Sequence, residues 1–90
     1  MKQIIWTNQF KKDYKMAIKR NLDINKLDEV IRLLVLDDPL PDKYKDHELS
    51  GNWTGFRECH IEPNWLLIYK ISNNKLCLSL TRTGSHSDLF

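Results

Sequence analysis

The apolar residues of this chain change their spacing once, about halfway along, and that change restricts the available folds more than any other feature. Up to Leu34 they recur at three- and four-residue intervals: Phe10, Tyr14, Ala17 and Ile18, then Leu27, Val30, Ile31 and Leu34. Such spacing lines up side chains along one stripe of a helix. Thr7 or Asn8 can cap the first helix, and the break from Asn21 to Asn25 supplies Asp23 or Asn25 as the cap of the second. After Gly55 the chain reads as short strands, Phe56 to Ile61, Trp65 to Ile71 and Lys75 to Thr83, with turns at Glu62-Pro63-Asn64 and Ser72-Asn73-Asn74. Adding a short strand at Lys2 to Trp6 gives the order β-α-α-β-β-β. Two helices ahead of a meander imply an α+β fold, with both helices on one face of a mainly antiparallel sheet and the other face partly open. Ninety residues build one modest core, so a single domain spanning 1–90 is expected.

Two stretches resist that simple pattern. Pro39 and Pro41 end the second helix near Asp37-Asp38 and open a loop from about Asp38 to Thr54, which carries Lys43, Lys45 and His47. A loop of that length in a small domain usually carries function. In the last strand Leu76, Leu78 and Leu80 share a face, and strict alternation adds Arg82 to it. The strand must therefore twist or bulge near Thr81 to bring the guanidinium to solvent.

Charge is informative by position. The 14 basic and 12 acidic residues leave a net +2, too little to establish a nucleic-acid partner. From Thr7 to Leu22, however, Lys11, Lys12, Lys15, Lys19 and Arg20 face Asp13 alone, a candidate phosphate-facing surface. The N-terminal apolar run Ile4-Ile5-Trp6 is far shorter than a signal-peptide core or a membrane span, so a cytoplasmic protein with no membrane association is expected. Cys59 and Cys77 are too few for a disulfide framework and read as small buried hydrophobes. Gly51, Gly55 and Gly84 form no phosphate-binding loop. No cofactor is expected, and no metal, because no two histidines share the close spacing of a zinc site and Cys59 and His60 would point to opposite sheet faces.

Three histidines remain: His47, His60 and His86, each near arginine, lysine or an aromatic. Histidine both takes and gives a proton near neutral pH, so such a group suits metal-free acid/base cleavage of RNA. The runs Tyr44-Lys45-Asp46-His47-Glu48-Leu49, Gly51 to Lys70 with its Phe56-Arg57-Glu58-Cys59-His60-Ile61-Glu62-Pro63-Asn64-Trp65 core, and Arg82-Thr83-Gly84-Ser85-His86 to Phe90 resemble the YafQ group of RelE/ParE-superfamily toxins from bacterial toxin-antitoxin pairs. The resemblance covers the whole chain and is densest from Pro41 to Phe90. It implies a RelE-like fold and a ribosome-dependent endoribonuclease that cuts mRNA in the ribosomal A site and is restrained by a cognate antitoxin.

By motif match the resemblance places catalytic histidines on His47, His60 and His86, the substrate-contacting cation on Arg82, and recognition aromatics on Trp65 and Phe90. His86 is then the general acid, His47 or His60 the base or orienter, and Arg82 the bidentate phosphate clamp. Trp65 and Phe90 would stack unpaired bases, while Lys45 and the lysines of the first helix grip backbone phosphate. The family pattern has an aspartate where this chain has Asn64, which can hydrogen-bond to RNA but cannot take up a proton.

Each assignment has a structural alternative. His60 shares a strand face with Phe56 and Glu58 and can be a packed histidine, Trp65 and Phe90 can be core, and Arg82 can pair with Asp88 or the terminal carboxylate. The lysine stripe can be an ordinary solvated face. Two other functions compete: a ParE-like gyrase poison, which needs no acid/base histidines, and a catalytically inactive RNA- or ribosome-binding module, which Asn64 would favour.

Overall fold

Both helical stripes fold as the periodicity requires. The computed structural model describes residues 2–90. Helix α1 (Asn8–Lys19) is capped by Thr7, whose hydroxyl accepts from the Phe10 amide, and helix α2 (Ile24–Val35) by Asp23, whose carboxylate accepts from the Asn25 amide. Leu27, Val30, Ile31 and Leu34 of α2 are all buried. On α1 the buried line is Phe10 and Ala17, with Tyr14 packed beside them, whereas Ile18 is 52% exposed. One helical step of about 100° past Ala17 turns Ile18 out of the interface.

The sheet has five strands in the order β1-β5-β4-β3-β2, where β1 is Gln3–Trp6, β2 His47–Glu48, β3 Arg57–Glu62, β4 Trp65–Ser72 and β5 Cys77–Gly84. The meander β3-β4-β5 is antiparallel as expected, and β1 joins β5 in parallel. Strand β2 is an addition to the predicted order. The expected irregular loop is instead a 3-10 turn at Asp42–Tyr44, then β2, then a second 3-10 turn at Gly51–Trp53. Leu76 departs from the expected leucine stripe. It lies before β5, after three successive left-handed residues, Asn73, Asn74 and Lys75, and is 59% exposed.

One sheet face carries the helices and a core that includes Cys59, Ile61, Leu67, Tyr69, Leu78 and Leu80. Cys59 is fully buried, and burial pushes its thiol pKa up, while Cys77 is half-buried. The opposite face is less open than expected. Leu66 and Ile68 are covered by Leu49, Trp53 and Phe56 and by Leu89 of a C-terminal helix, α3 (His86–Leu89), which the predicted order does not include. No helix of the described residues is long and apolar enough to cross a membrane.

Candidate active site

Strand register organises the second face into rows. The ladder sets His47 opposite Glu58, Glu58 opposite Ile68 and Ile68 opposite Arg82, so one row crosses β2, β3, β4 and β5. The next row runs His60, Leu66, Gly84. Two strand spacings, about 10 Å in all, separate His60 from Gly84, two residues before His86. Between Leu80 and Arg82 the register slips, leaving Thr81 without a partner on β4. That bulge is the irregularity the alternation of β5 requires if Arg82 is to leave the leucine face.

At the β2 end His47 and His60 converge on one carboxylate. Their Nε2 atoms lie 3.6 and 3.5 Å from the same Oε1 of Glu58, and the ring centroids are 6.3 Å apart. His47 Nδ1 lies 2.8 Å from the Lys45 carbonyl, which can only accept, so Nδ1 carries a proton and Nε2 is the exchangeable position. Glu58 is 3% exposed, and its ion-pair partners among the described residues are these two imidazoles. A buried carboxylate needs polar partners beside it, and these two rings supply them.

The turn before His47 is pinned through Asp46. Its carboxylate accepts from the Tyr69 hydroxyl and from Arg57 Nη2 at 3.0 Å. Burial, then Asp46, pushes the Tyr69 hydroxyl pKa up, and the Asp46 carboxylate raises that of Arg57. Lys45, exposed and in a left-handed conformation, lines a cleft of about 450 Å³ with Lys26, Lys43, Tyr44, His60 and Glu62.

At the other end α3 holds His86. Ser85 caps the helix in a reciprocal box: its hydroxyl accepts from the Asp88 amide at 3.2 Å, and Asp88 Oδ2 accepts from the Ser85 amide at 2.9 Å. Arg20 donates to the same oxygen at 2.7 Å. Arg20 first, and Ser85 after it, holds the Asp88 carboxyl down at about 2. A Cβ at Gly84 would meet Asp88 Oδ2 at 3.0 Å, so any side chain there would press on the Asp88 carboxylate, which would have to give by a few tenths of an ångström. His86 is exposed with its ring 5.2 Å from that of Phe90, which is 53% exposed and also meets Trp53 edge-on at 6.0 Å.

The structure thus brings His47 and His60 together, and His86 together with Phe90, as two groups on one side of the sheet. Arg82 is paired with neither Asp88 nor the terminus. Its Nε and Nη2 donate to Asp13 of α1 at 2.8 and 3.3 Å. Trp65 is in the core, 2% exposed, and its indole donates to Thr83 Oγ1 at 2.9 Å, so its ring offers no free face for stacking. Asn64 lies exposed in the β3–β4 turn, lining a cleft of about 430 Å³ with Arg20, Trp65 and Ser85. Among the described residues no group of three or more His, Cys, Asp or Glu side chains is placed to hold a metal.

Three acids were absent from the sequence-based site. Glu58 sits two residues before His60, hence on its strand face; Asp13 is the one acid in the basic stretch; Asp46 precedes His47 directly. Alternation gives a local sign for the first, whereas the other two gain meaning only from partners 11 to 70 residues away.

Comparison with known proteins shows what the chain and its fold are similar to. A family model for the bacterial toxin of type II toxin-antitoxin systems, YafQ, matches residues 2–90. The mRNA interferase toxin YafQ of Escherichia coli strain K12 is 46% identical over 90 residues, 99% of this chain and 96% of that one. The fold superposes on the crystal structure of the E. coli DinJ-YafQ complex with a TM-score of 0.91 at 45% identity, covering 100% of this chain and 99% of that one. A metal-bound toxin from Helicobacter pylori gives 0.92 at 43%, with all of both chains covered.

Proposed function

The chain belongs to the YafQ family of type II toxin-antitoxin toxins, and from that membership together with the histidine groups we propose that it is an mRNA interferase, an endoribonuclease that halts translation by cutting mRNA on the ribosome. The observation that carries the chemistry is the convergence of His47 and His60 on the buried Glu58, in the sheet row that also contains Arg82. Cleavage requires removal of the 2′-hydroxyl proton, in-line attack on phosphorus, charge stabilisation on the non-bridging oxygens and protonation of the leaving 5′-oxygen. The His47–His60 pair supplies the base, while Glu58 stabilises the imidazolium that forms. His86, exposed beside Phe90, supplies the leaving-group proton. Arg82 keeps its Nη1 edge free for phosphate oxygens. Phe90, with Trp53 behind it, is the stacking platform, and buried Trp65 forms a wall behind Arg82. Every step here uses side-chain proton carriers and needs no metal.

The described residues act as one domain with a RelE-like sheet, in the cytoplasm where translating ribosomes are. Lys45 and Asn64 contact the RNA. DinJ is bound by the E. coli relative, and a cognate antitoxin restrains this chain in the same general way, drawn to its basic surfaces.

Purified His86→Ala tests the reading on ribosomes carrying mRNA. The capping box belongs to Ser85 and Asp88, so the variant should fold normally and lose cleavage about a hundred- to ten-thousand-fold. Near-parental cutting by His86→Ala, or abolition of parental cutting by a chelator with ribosome integrity separately maintained, would overturn the mechanism. Translation arrest without new 5′ ends in the mRNA would identify an inactive binder instead.

A further inference from the structure

Asp13 accepts four hydrogen bonds, one of them from Gln9 Nε2 at 3.1 Å one turn earlier on α1, and has no part in the mechanism. Besides Arg82 Nε and Nη2, its Oδ2 accepts from the Thr83 amide at 3.1 Å, and its side chain is 11% exposed. The reason lies in the sheet edge. Strand β1 ends at Trp6, paired with Leu80, so β5 continues past it with no strand on that side. The cap of α1 and a side chain of its second turn complete the edge: Thr7 donates to the Leu80 carbonyl at 2.8 Å, and Asp13 takes the Thr83 amide.

We propose that Asp13 is a positioning residue for Arg82, holding the guanidinium side-on so that its end-on fork faces the substrate phosphate; this rests on the assignment of Arg82 to the phosphate. Two of the five guanidinium N–H groups are taken by Asp13, from Nε and Nη2. The remaining three include both Nη1 hydrogens and the outer Nη2 hydrogen, the pair of parallel donors that matches two phosphate oxygens. Asp13 is itself fixed by the Thr83 amide, so rigid sheet backbone sets the direction of the fork. A flexible arginine aimed in this way loses less freedom when phosphate arrives. The arrangement also explains one acid in an otherwise basic helical stretch: Asp13 faces β5 while Lys11, Lys12, Lys15 and Lys19 are exposed.

A double-mutant cycle on cleavage of ribosome-bound mRNA tests this. Asp13→Asn should lower kcat/KM about ten- to a hundredfold, the effect of mis-aiming a catalytic group by about an ångström. In the Arg82→Lys background, which keeps the charge but has no Nε for Asp13 to grip, adding Asp13→Asn should change the rate less than about twofold. Thr7→Ala is the control. It removes the neighbouring support of the same β5 edge without touching Arg82, and should lower the thermal midpoint while cleavage at 25 °C stays parental. An equal loss from Asp13→Asn in both backgrounds, or loss of cleavage in folded Thr7→Ala, would mean that Asp13 merely supports the sheet. No loss, or a faster rate, from Asp13→Asn would overturn the proposal by showing that Asp13 is idle or sequesters Arg82. If Arg82→Ala itself cuts at the parental rate, the assignment of Arg82 fails, and the proposal with it. Should Asp13→Asn not fold, Asp13→Glu, which keeps the charge but displaces it by a methylene, replaces it in the same cycle.

Discussion

At the scale of single residues, the C-terminal histidine depends on a carboxylate that does no chemistry. Asp88 accepts from the Ser85 amide and pairs with Arg20, fixing the turn from which His86 projects. Its carboxyl titrates near 2 in the folded chain, below the ordinary value of about 3.9 for aspartate. A group with a lowered folded pKa stabilises fully above its unfolded pKa, and that contribution fades as pH falls from about 4 through about 2. Asp88→Asn should therefore melt below the parent at neutral pH. Loss of the cap is worth about 1 kcal/mol, a drop of about 4–8 °C in a domain of this size. The two melting curves should converge near pH 2. Scanning calorimetry at pH 7 and pH 2 checks this, and a constant difference at both would deny the carboxylate its role.

Among elements, β2 is the least self-sufficient. Two residues cannot bury a hydrophobic face or hold a register by themselves, yet β2 carries His47. Its place depends on Asp46, which Tyr69 and Arg57 grip from the core side. Tyr69→Phe keeps the ring packing and removes the hydroxyl, so it should cost about 1 kcal/mol of stability. The distinctive consequence is local: β2 should open more often, with faster hydrogen exchange at the Leu49 amide, which bonds the Phe56 carbonyl, while α2 amides change only by the global amount. Exchange measured by NMR separates the two, and uniform acceleration would show that Asp46 anchors nothing in particular. The same dependence hides the structure of residues 38–54 from the sequence, which reads as a loop there. Two 3-10 turns and a two-residue strand are too short to show any period, and they form through β3 and the core.

Across the whole molecule, charge is divided between paired and unpaired cations. Arg20, Arg57 and Arg82 are held by carboxylates, and Lys26 by Glu62, whereas Lys11, Lys15 and Lys19 are exposed on α1 with no ion pair among the described residues. Free, solvated lysines suit backbone phosphate, where each contact releases counterions. Replacing all three by glutamine should leave the fold intact, weaken ribosome association and flatten its dependence on salt by about 0.7–0.9 in log-log slope per lost contact. Binding measured from low to physiological salt tests this. An unchanged slope would assign the stripe to ordinary solvation.

What the chain determines by itself is what depends on near neighbours: two amphipathic helices and their caps, three strands and their turns, the bulge near Thr81 demanded by alternation, and the motif residues that identify the family. Periodicity and capping act over a few residues, so they can be read without the fold. Tertiary structure alone decided that Trp65 is buried against Thr83 while Phe90 stays available, that Arg82 is gripped by an aspartate 69 positions away, and that His47 and His60 share Glu58. Those relations arise where strands and helices distant in sequence meet. No local pattern specifies them, because packing and the pairing of buried polar groups choose partners by distance in space.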